Sequence, residues 1–256
     1  MQIFVISLTT AYERRAHIQQ EFGKQKIDFQ FFDALKPDLA LPFSQQLGLN
    51  FNSDILTQGE LACFMSHVSI WKKMIDENIP YAAVFEDDVF LGEDASRLLK
   101  ETAWIKPEWQ IIKTEAFAER VFLTGQAEKL SECEREIVQL AGKNLGTAGY
   151  ILSLKGAQAY FEYVKRIELI PLDHVMFDQF IEQKVMPVYQ VKPALCIQEM
   201  MLHPEKNTVL SSELFAERRA RMKKMKKQGF SKIKLEIVRI FTQLKSIIFA
   251  KKVGFK

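Results

Sequence analysis

Cysteine is scarce in this sequence. Its three cysteines, Cys63, Cys133 and Cys196, are widely spaced and odd in number. There is no C-x-x-C pair, so the spacing indicates neither a zinc site nor a disulfide framework. We therefore expect three small, buried, hydrophobic side chains in a reducing cytoplasm.

Long apolar runs are also missing. No stretch approaches the roughly 18 apolar residues that a membrane-spanning helix needs. The run from Gln2 to Leu8 is too short for a signal peptide, and no basic segment precedes it. This run instead predicts a first buried strand, and we expect the protein to stay in the cytoplasm.

The usual phosphate-binding and hydrolase motifs are absent. The sequence has no G-x-x-x-x-G-K-[ST] loop, no G-x-G-x-x-G turn after a strand, no G-x-S-x-G elbow and no H-E-x-x-H helix. A bound nucleotide would therefore have to be held by a metal ion and by loops at the ends of strands.

Charge is divided unevenly along a chain whose net charge is only +3. Residues 218–256 contain fourteen basic residues and one acid, which leaves 21 bases and 31 acids in the rest of the chain. An acidic body with a basic tail predicts different partners for the two parts. We place the body at residues 1–213 and the tail at residues 214–256.

The tail has the pattern of a basic amphipathic helix, because apolar residues recur at helical spacing from Ile233 to Ile248. Such a helix binds anionic membranes with ~1 kcal/mol per basic residue near the surface. The alternative is a helix packed on its own domain. Basic runs also bind phosphate backbones, but few aromatic residues are available to stack on bases, so nucleic acid is not an expected partner.

The order of predicted elements is that of an α/β protein. Buried strands are predicted at 2–8, 29–32, 81–85, 111–112, 121–123, 148–153 and 188–191, and helices at 11–23, 58–75, 95–102, 154–164 and 173–183. This alternation favours a layered α/β domain with a largely parallel sheet. Residues 36–56 predict a long irregular loop, and residues 125–145 predict a loop-rich region with some helix.

Three acidic residues, Glu86, Asp87 and Asp88, directly follow the predicted strand at 81–85. Ligands of α/β sheets collect at the carboxyl ends of strands, and carboxylate oxygens suit hard cations such as Mn²⁺ or Mg²⁺. Such an ion could bridge two phosphates of a diphosphate. The alternative is a solvated acidic turn.

Two arginines in the first predicted helix, Arg14 and Arg15, could reach a phosphate from the end of the first strand, because arginine binds phosphate in a bidentate manner. The alternative is a pair of surface arginines that contact Glu13 or solvent.

Three residues are candidates for catalysis, since a general base must be a carboxylate or a histidine near the acceptor hydroxyl. They are His67, Glu60 and Asp173, and each has a structural alternative. His67 could be an ordinary helical histidine, Glu60 the N3 residue of a capping box that begins at Thr57, and Asp173 a helix N-cap.

Six segments in order resemble glycosyltransferase family 25, the lipooligosaccharide glycosyltransferases of Gram-negative bacteria that are related to collagen galactosyltransferases. The segments are 4–8 with 13–15, 31–34, 56–63 with 66–67 and 71–72, 85–89, 146–150 with 153 and 156–157, and 171–173. The resemblance covers about residues 2–200 and leaves the tail outside. Two positions depart from the family pattern: Ala62, where the family more often has Gly, and Phe85, where it more often has Leu.

The resemblance implies a GT-A-like fold and inverting transfer of a hexose, usually galactose, from a UDP-sugar to a lipooligosaccharide or lipopolysaccharide acceptor. It also implies Mn²⁺ (or Mg²⁺), with Glu86 and Asp88 as metal ligands and Asp173, His67 and Glu60 at the reaction centre. The expected donor-site residues are Ser7, Leu8, Arg14, Arg15, Asp33, Ala34, Gly59 and Asp87.

Two further expectations concern location and the rival activity. A glycolipid acceptor at the inner leaflet would fit a protein held peripherally on the inner face of the bacterial inner membrane by its tail. A metal-dependent phosphohydrolase on an α/β sheet is the alternative activity. It would explain residues 86–88 but not the segment from Thr57 to His67.

Overall fold

The computed structural model describes residues 1–131, 133–204 and 249–256. The predicted amphipathic helix from Ile233 to Ile248 lies outside the described residues. Among those that are described, no helix is both long enough and apolar enough to cross a membrane.

The strands form one large sheet and two small ones. They are β1 Gln2–Ser7, β2 Gln30–Asp33, β3 Tyr81–Glu86, β4 Val89–Leu91, β5 Ile111–Lys113, β6 Glu115–Ala116, β7 Arg120–Val121, β8 Leu123–Lys129, β9 Glu136–Leu140, β10 Gly149–Ser153, β11 Tyr189–Lys192, β12 Cys196–Gln198 and β13 Lys251–Lys252. The large sheet has the order β2-β1-β3-β10-β5-β11-β9-β8, and the small sheets are β4-β12-β6 and β13-β7.

The large sheet is mixed. Strand β1 pairs in parallel with β2 and β3, and β5 pairs in parallel with β11. Strand β10 runs antiparallel between β3 and β5, and β9 runs antiparallel to β8 and β11. The predicted parallel arrangement is therefore confirmed for β2-β1-β3, the part of the sheet that carries the acidic cluster at its carboxyl end.

The described residues form eight α-helices and one π-helical turn, most of them close to the predicted positions. They are α1 Tyr12–Lys24, α2 Pro37–Gln46, α3 Gln58–Asp76, α4 Ala95–Lys100, α5 Leu154–Val164, α6 Leu172–His174, a π-helical turn Val175–Gln179, α7 Phe180–Glu182 and α8 Glu199–Leu202. The predicted capping box begins α3, since Thr57 Oγ1 accepts from the Glu60 N–H and Glu60 Oε2 accepts from the Thr57 N–H. Ser153 caps α5 with a single hydrogen bond, which its hydroxyl accepts from the Gly156 N–H.

Side chains alternate between two cores because successive residues of a strand point to opposite faces. One core lies between the sheet and α2, α3 and α5, and the other between the sheet and α1 and α4. On β1, Phe4 belongs to the first core and Val5 to the second, and both are almost fully buried. The result is a three-layer α/β domain whose central strands are covered on both sides.

Two predicted loops are wrong. Within residues 36–56, α2 forms because Pro37 lies in its first turn, where a missing N–H costs nothing, and Ala40 is buried against the core. Residues 125–145 contain the β8–β9 hairpin at the edge of the sheet. Most β8 side chains are exposed or half-buried, so the segment is polar in sequence although it is a strand.

The chain returns to the body at its end, which corrects the predicted helical tail there. Strand β13 pairs with β7, and Ala250 and Val253 are buried. The buried Arg135 guanidinium donates to the carbonyls of Ala194 and Lys256. Backbone pairing and apolar burial therefore fix these last residues as a strand. Strand β12 also lies beyond the segment 188–191, which was wrongly predicted to be the last strand.

Candidate active site

The three acidic residues lie at the end of β3, in the turn between β3 and β4. Glu86 is the last residue of β3, and Asp87 and Asp88 follow it with only 5% and 9% of their surface exposed. Burial, and after it the nearby charge of Glu86, raise the pKa of Asp88 to about 7. The alternative of a solvated acidic turn is therefore wrong, because Asp87 and Asp88 are buried.

Gln198 holds two of these acids together. Its Nε2 lies 3.2 Å from both carboxylate oxygens of Asp88 and 3.4 Å from Glu86 Oε2. Strand β12 brings it there by pairing Gln198 with Val89, the first residue of β4. Three carboxylate oxygens thus converge on a single donor atom.

This convergence fits the predicted metal ion. Hard cations such as Mn²⁺ and Mg²⁺ take oxygen ligands, mainly carboxylates. Glu86 and Asp88 direct their oxygens toward the Gln198 amide nitrogen, so a cation bound between them would take the place of that donor. Burial first, and then the charge of Glu86, raise the pKa of Asp88 and so disfavour its ionised form. A divalent cation would supply the missing positive charge.

Arg14 reaches the same acids from α1. Its Nη1 donates to Asp87 Oδ1 in a close ion pair, and its Nη2 lies 3.7 Å from Asp88 Oδ2. The predicted alternative of a surface arginine paired with Glu13 is wrong, because the guanidinium points into the cluster. Arg14 therefore offsets part of the negative charge next to the converging oxygens.

Arg15 fixes the loop after β1 to the end of β2. Its guanidinium donates to the carbonyls of Leu8 at 3.0 Å and Ser7 at 3.1 Å, and it also pairs with Asp33. The Ala34 N–H donates to the Ser7 carbonyl at 2.9 Å. Five of the predicted donor-site residues are thus brought together at the carboxyl ends of two adjacent parallel strands.

His67 is fully buried beneath the acids. Its Nδ1 lies 2.7 Å from the Tyr150 hydroxyl, and its Nε2 lies 3.6 Å from Glu86 Oε1. The Trp71 indole N–H, which can only donate, contacts the same hydroxyl at 3.2 Å. The Tyr150 hydroxyl therefore accepts from Trp71, and it shares a further hydrogen bond with His67 Nδ1 in which either atom can donate, depending on which ring nitrogen carries the proton.

The pKa of Glu86 falls below its usual value as a result of opposing effects. Burial acts to raise it, whereas the contact with His67, the hydrogen bond from the Thr147 hydroxyl at 2.7 Å and the charge of Arg14 together lower it further than burial raises it. Glu86 and Asp88 are thus neighbouring carboxyls whose environments shift their pKa values in opposite directions.

A buried ion pair lies behind the cluster. Lys113 and Glu115 are both fully buried on consecutive strands and contact each other at 2.9 Å. Glu115 Oε2 also accepts from the Ala148 N–H, while the Lys113 ammonium donates to the Gly146 carbonyl and lies 4.3 Å from the centre of the Phe177 ring. The pair supports the segment that carries Thr147.

The capping-box alternative is confirmed for Glu60, whereas the N-cap alternative for Asp173 is wrong, because Pro171 is the N-cap of α6 and Asp173 lies within the helix. Glu60 lies in the capping box, and Gly59 lies half-buried in the first turn of α3. Asp173 is buried in α6, where its Oδ1 accepts from the His174 N–H at 3.0 Å. Four residues later, the Phe177 ring packs 6.4 Å from the ring of Tyr150.

The sequence provided little signal for several residues of the site. Gln198 is the last residue of a strand of three residues, too short to predict, and nothing in the sequence marks it as a partner of Asp88. Lys113 and Glu115 lie two residues apart, directly after the apolar pair Ile111 and Ile112, and this spacing is the one signal in the sequence that they share a face of an extended segment. The prediction of three buried cysteines holds for Cys196, whereas Cys63 and Cys133 are partly exposed.

Residues 1–176 match the family model described as glycosyltransferase family 25 (LPS biosynthesis protein). Three bacterial relatives extend the similarity to most of the chain. The lipooligosaccharide biosynthesis protein lic2B of Haemophilus influenzae is 37% identical over 91% of this chain and 89% of its own length. In Neisseria meningitidis serogroup B, the lacto-N-neotetraose biosynthesis glycosyltransferase LgtE is 39% identical over 85% of this chain and 82% of its own length. The lacto-N-neotetraose biosynthesis glycosyltransferase LgtB of the same organism is 41% identical over 78% of this chain and 76% of its own length.

Proposed function

The chain belongs to glycosyltransferase family 25, and we propose that it transfers a hexose, with galactose as the first candidate, from a UDP-sugar to a lipooligosaccharide acceptor. The names of the Haemophilus and Neisseria relatives support the acceptor class. The parallel strands β2-β1-β3, with the acids at their carboxyl end, support a GT-A-like arrangement of the donor site. Among the residues that the structure describes, no contact favours the alternative of a phosphohydrolase.

The observation that carries this proposal is the convergence of Glu86 and Asp88 on one point beside the loop that follows β1. These two residues would hold Mn²⁺ (or Mg²⁺), which when bound counters the charge that develops on a diphosphate leaving group. Arg14 adds positive charge on the same side and keeps Asp87 oriented. The acidic cluster could thereby accept an anionic donor.

The uridine part of the donor would lie over the ends of β1 and β2. Arg15 holds the carbonyls of Ser7 and Leu8, which keeps this loop in one conformation for binding. The Asp33 side chain is 65% exposed and can accept hydrogen bonds from ribose hydroxyls or base N–H groups. Ala34 continues this surface.

Inverting transfer needs one base to take the proton of the acceptor hydroxyl. We propose Asp173 for this role on the strength of the family resemblance. His67 contacts Glu86 and Tyr150 inside the protein, so we propose that it orients Glu86. Glu60 serves the start of α3 through its capping box.

The test is a transfer assay with the purified full chain, a panel of UDP-hexoses and short-chain lipooligosaccharide, with Mn²⁺ or with EDTA. We expect UDP-galactose to give the fastest transfer, with inverted anomeric configuration and loss of activity in EDTA. Hydrolysis of simple phosphate esters without sugar transfer would contradict the proposed activity, and full activity in EDTA would contradict the metal.

We also propose that the basic tail attaches the enzyme to the inner face of the bacterial inner membrane. Its fourteen basic residues and its apolar spacing support this. Deleting the tail would also remove β13, so substitution is the cleaner test. We expect Lys223→Gln with Lys224→Gln to weaken co-sedimentation with phosphatidylglycerol vesicles, whereas Lys72→Gln with Lys73→Gln on α3 should not. Equal binding by both double variants would contradict membrane attachment through the tail.

A further inference from the structure

The two carboxylate oxygens of Glu86 face different groups. Oε2 points toward Gln198 and the side of Asp88, where the proposed Mn²⁺ site lies. Oε1 accepts from Thr147 and faces His67 Nε2 at 3.6 Å on the opposite side. Glu86 therefore belongs to two sets of potential metal ligands at once.

The second set contains a thiol. Cys63 and His67 are four residues apart on α3, so their side chains lie on the same face of the helix. One ligand atom each from Cys63, His67 and Glu86 can be chosen so that all three lie within 4.8 Å of one another. All three ligand atoms belong to side chains, and only one of the three residues is acidic.

An independent observation points to a missing ligand. His67 is fully buried, and its Nε2 has no hydrogen-bond partner among the described residues. Leaving a buried polar atom without a hydrogen-bond partner is energetically unfavourable. A cation bound at Nε2 would remove that cost.

We propose that Cys63, His67 and Glu86 Oε1 form a second cation site, which takes a thiophilic divalent ion such as Zn²⁺ and is distinct from the oxygen-only site at Asp88. Zinc binds thiolate, imidazole and carboxylate at about 2.0–2.3 Å in tetrahedral geometry, which separates the ligand atoms by roughly 3.3–3.8 Å. The 3.6 Å between His67 Nε2 and Glu86 Oε1 already has this value. Three protein ligands leave the fourth position open.

Neighbouring side chains hold these ligands in place, as they do in zinc proteins. With Nε2 on the ion, His67 carries its proton on Nδ1 and donates it to the Tyr150 hydroxyl 2.7 Å away. Trp71 fixes Tyr150, and Thr147 fixes Glu86 Oε1. On binding, the Cys63 thiol loses its proton to solvent and becomes a thiolate ligand.

The two sites compete through their shared residue. An ion at Cys63 and His67 would draw negative charge from Glu86 and so weaken the binding of Mn²⁺ near Asp88. This consequence rests on the proposed function of the Asp88 site. The thiophilic site itself rests only on the Cys63–His67–Glu86 geometry, and it can be tested without measuring sugar transfer.

Cobalt spectroscopy provides that test, because Co²⁺ bound to a thiolate shows a sulfur-to-metal charge-transfer band that oxygen ligands do not give. The metal-free full chain is titrated with Co²⁺ and then with Zn²⁺. We expect a thiolate band that saturates at one ion per chain and that Zn²⁺ removes. A spectrum without this band would overturn the proposal, whatever the outcome of the transfer assay.

Matched variants assign the band. Cys63→Ser should abolish it, whereas Cys133→Ser, a change at the other partly exposed cysteine, should leave it intact. Asp88→Asn should also preserve the band, because Asp88 is not a ligand of this site. A band that survives Cys63→Ser, or one that Asp88→Asn abolishes, would contradict two distinct sites. Circular dichroism checks that each variant is folded. If Cys63→Ser does not fold, Cys133→Ser decides the matter: retention of the band supports the proposal, and loss of the band overturns it.

Discussion

The side-chain nitrogen of Gln198 lies 3.2 Å from both carboxylate oxygens of Asp88. Burial and the charge of Glu86 raise the pKa of Asp88 to about 7, while the hydrogen bond from Gln198 acts in the opposite direction because it favours the ionised form. Gln198 therefore helps to set the fraction of Asp88 that is ionised near neutral pH.

Replacing Gln198 should move the pH dependence of the enzyme. In Gln198→Leu the pKa of Asp88 rises further, so the carboxylate that binds metal is lost at a higher pH as the solution is acidified. The loss of a hydrogen bond to a charged group, worth about 1.5 kcal/mol, corresponds to about one pH unit. The measurement is kcat/KM as a function of pH at fixed Mn²⁺. The acid limb, where activity falls as the pH is lowered, should move to higher pH in Gln198→Leu.

The control for this shift is Gln139→Leu, a half-buried glutamine on the edge hairpin. The acid limb of kcat/KM in Gln139→Leu should coincide with that of the wild type. If Gln198→Leu also coincides with the wild type, Asp88 does not limit activity at low pH.

Removing the charge of Asp88 should remove most of the activity. Asp88→Asn keeps the size of the side chain but takes away a carboxylate from the proposed Mn²⁺ site, and we expect kcat/KM to fall by about 100-fold or more even at saturating Mn²⁺. The matched change is Asp94→Asn. Asp94 has a left-handed backbone that asparagine tolerates, and its side chain is partly exposed. Near-normal transfer by Asp88→Asn would refute the metal assignment.

The parts of the fold that the sequence predicts are those with strong local signals. The capping box at Thr57 and Glu60 and the strand before Glu86 are found where predicted, because each depends on residues close together in the chain. Helix α2 was missed because Pro37 and Pro42 suggest a break, although a proline in the first turn favours a helix.

The parts of the site that the sequence does not predict depend on long-range pairing. Gln198 meets Asp88 across 110 residues, and Lys113 meets the Gly146 carbonyl across 33. Arg14 was predicted as a phosphate ligand, but only the packing of α1 beside β4 could reveal its ion pair with Asp87. Local patterns identify candidate residues, whereas their partners follow from the order of strands.

The buried ion pair behind the cluster should be costly to break from either side. Glu115→Gln leaves the Lys113 ammonium without a carboxylate in the interior, and Lys113→Met leaves the carboxylate of Glu115 alone. We expect each to lower the free energy of unfolding by about 3–5 kcal/mol. The double variant Lys113→Met with Glu115→Gln should cost clearly less than the two single changes added together.

Urea unfolding of the metal-free protein measures this coupling. The matched pair is Lys192 and Glu136, which lie 2.7 Å apart on neighbouring strands but are partly exposed. Because solvent screens this pair, replacing either residue or both should change the free energy of unfolding by about 1 kcal/mol or less. Additive single and double changes at Lys113 and Glu115 would show that burial does not make this pair interdependent.

The contact between Gly92 and the end of the chain gives a sharp test of how β13 docks. A Cβ atom at Gly92 would lie 1.8 Å from the Lys256 carbonyl oxygen, a distance that requires the backbone to move. Gly92→Ala should therefore displace the last residues, break the hydrogen bond from Arg135 to Lys256 and lower the free energy of unfolding by about 2 kcal/mol or more. At Gly142 the nearest atom would be 3.5 Å away, in the Phe122 side chain, so Gly142→Ala should change stability by about 0.5 kcal/mol or less.

A truncated chain distinguishes this clash from a general effect of alanine at Gly92. Deleting residues 250–256 removes the strand and should itself destabilise the protein, because Val253 loses its buried position. In that shortened background, however, Gly92→Ala has no carbonyl to meet, and its cost should largely disappear. The four proteins form a double-mutant cycle in urea unfolding. An unchanged cost of Gly92→Ala in the truncated chain would mean that the alanine disturbs something other than the docked strand.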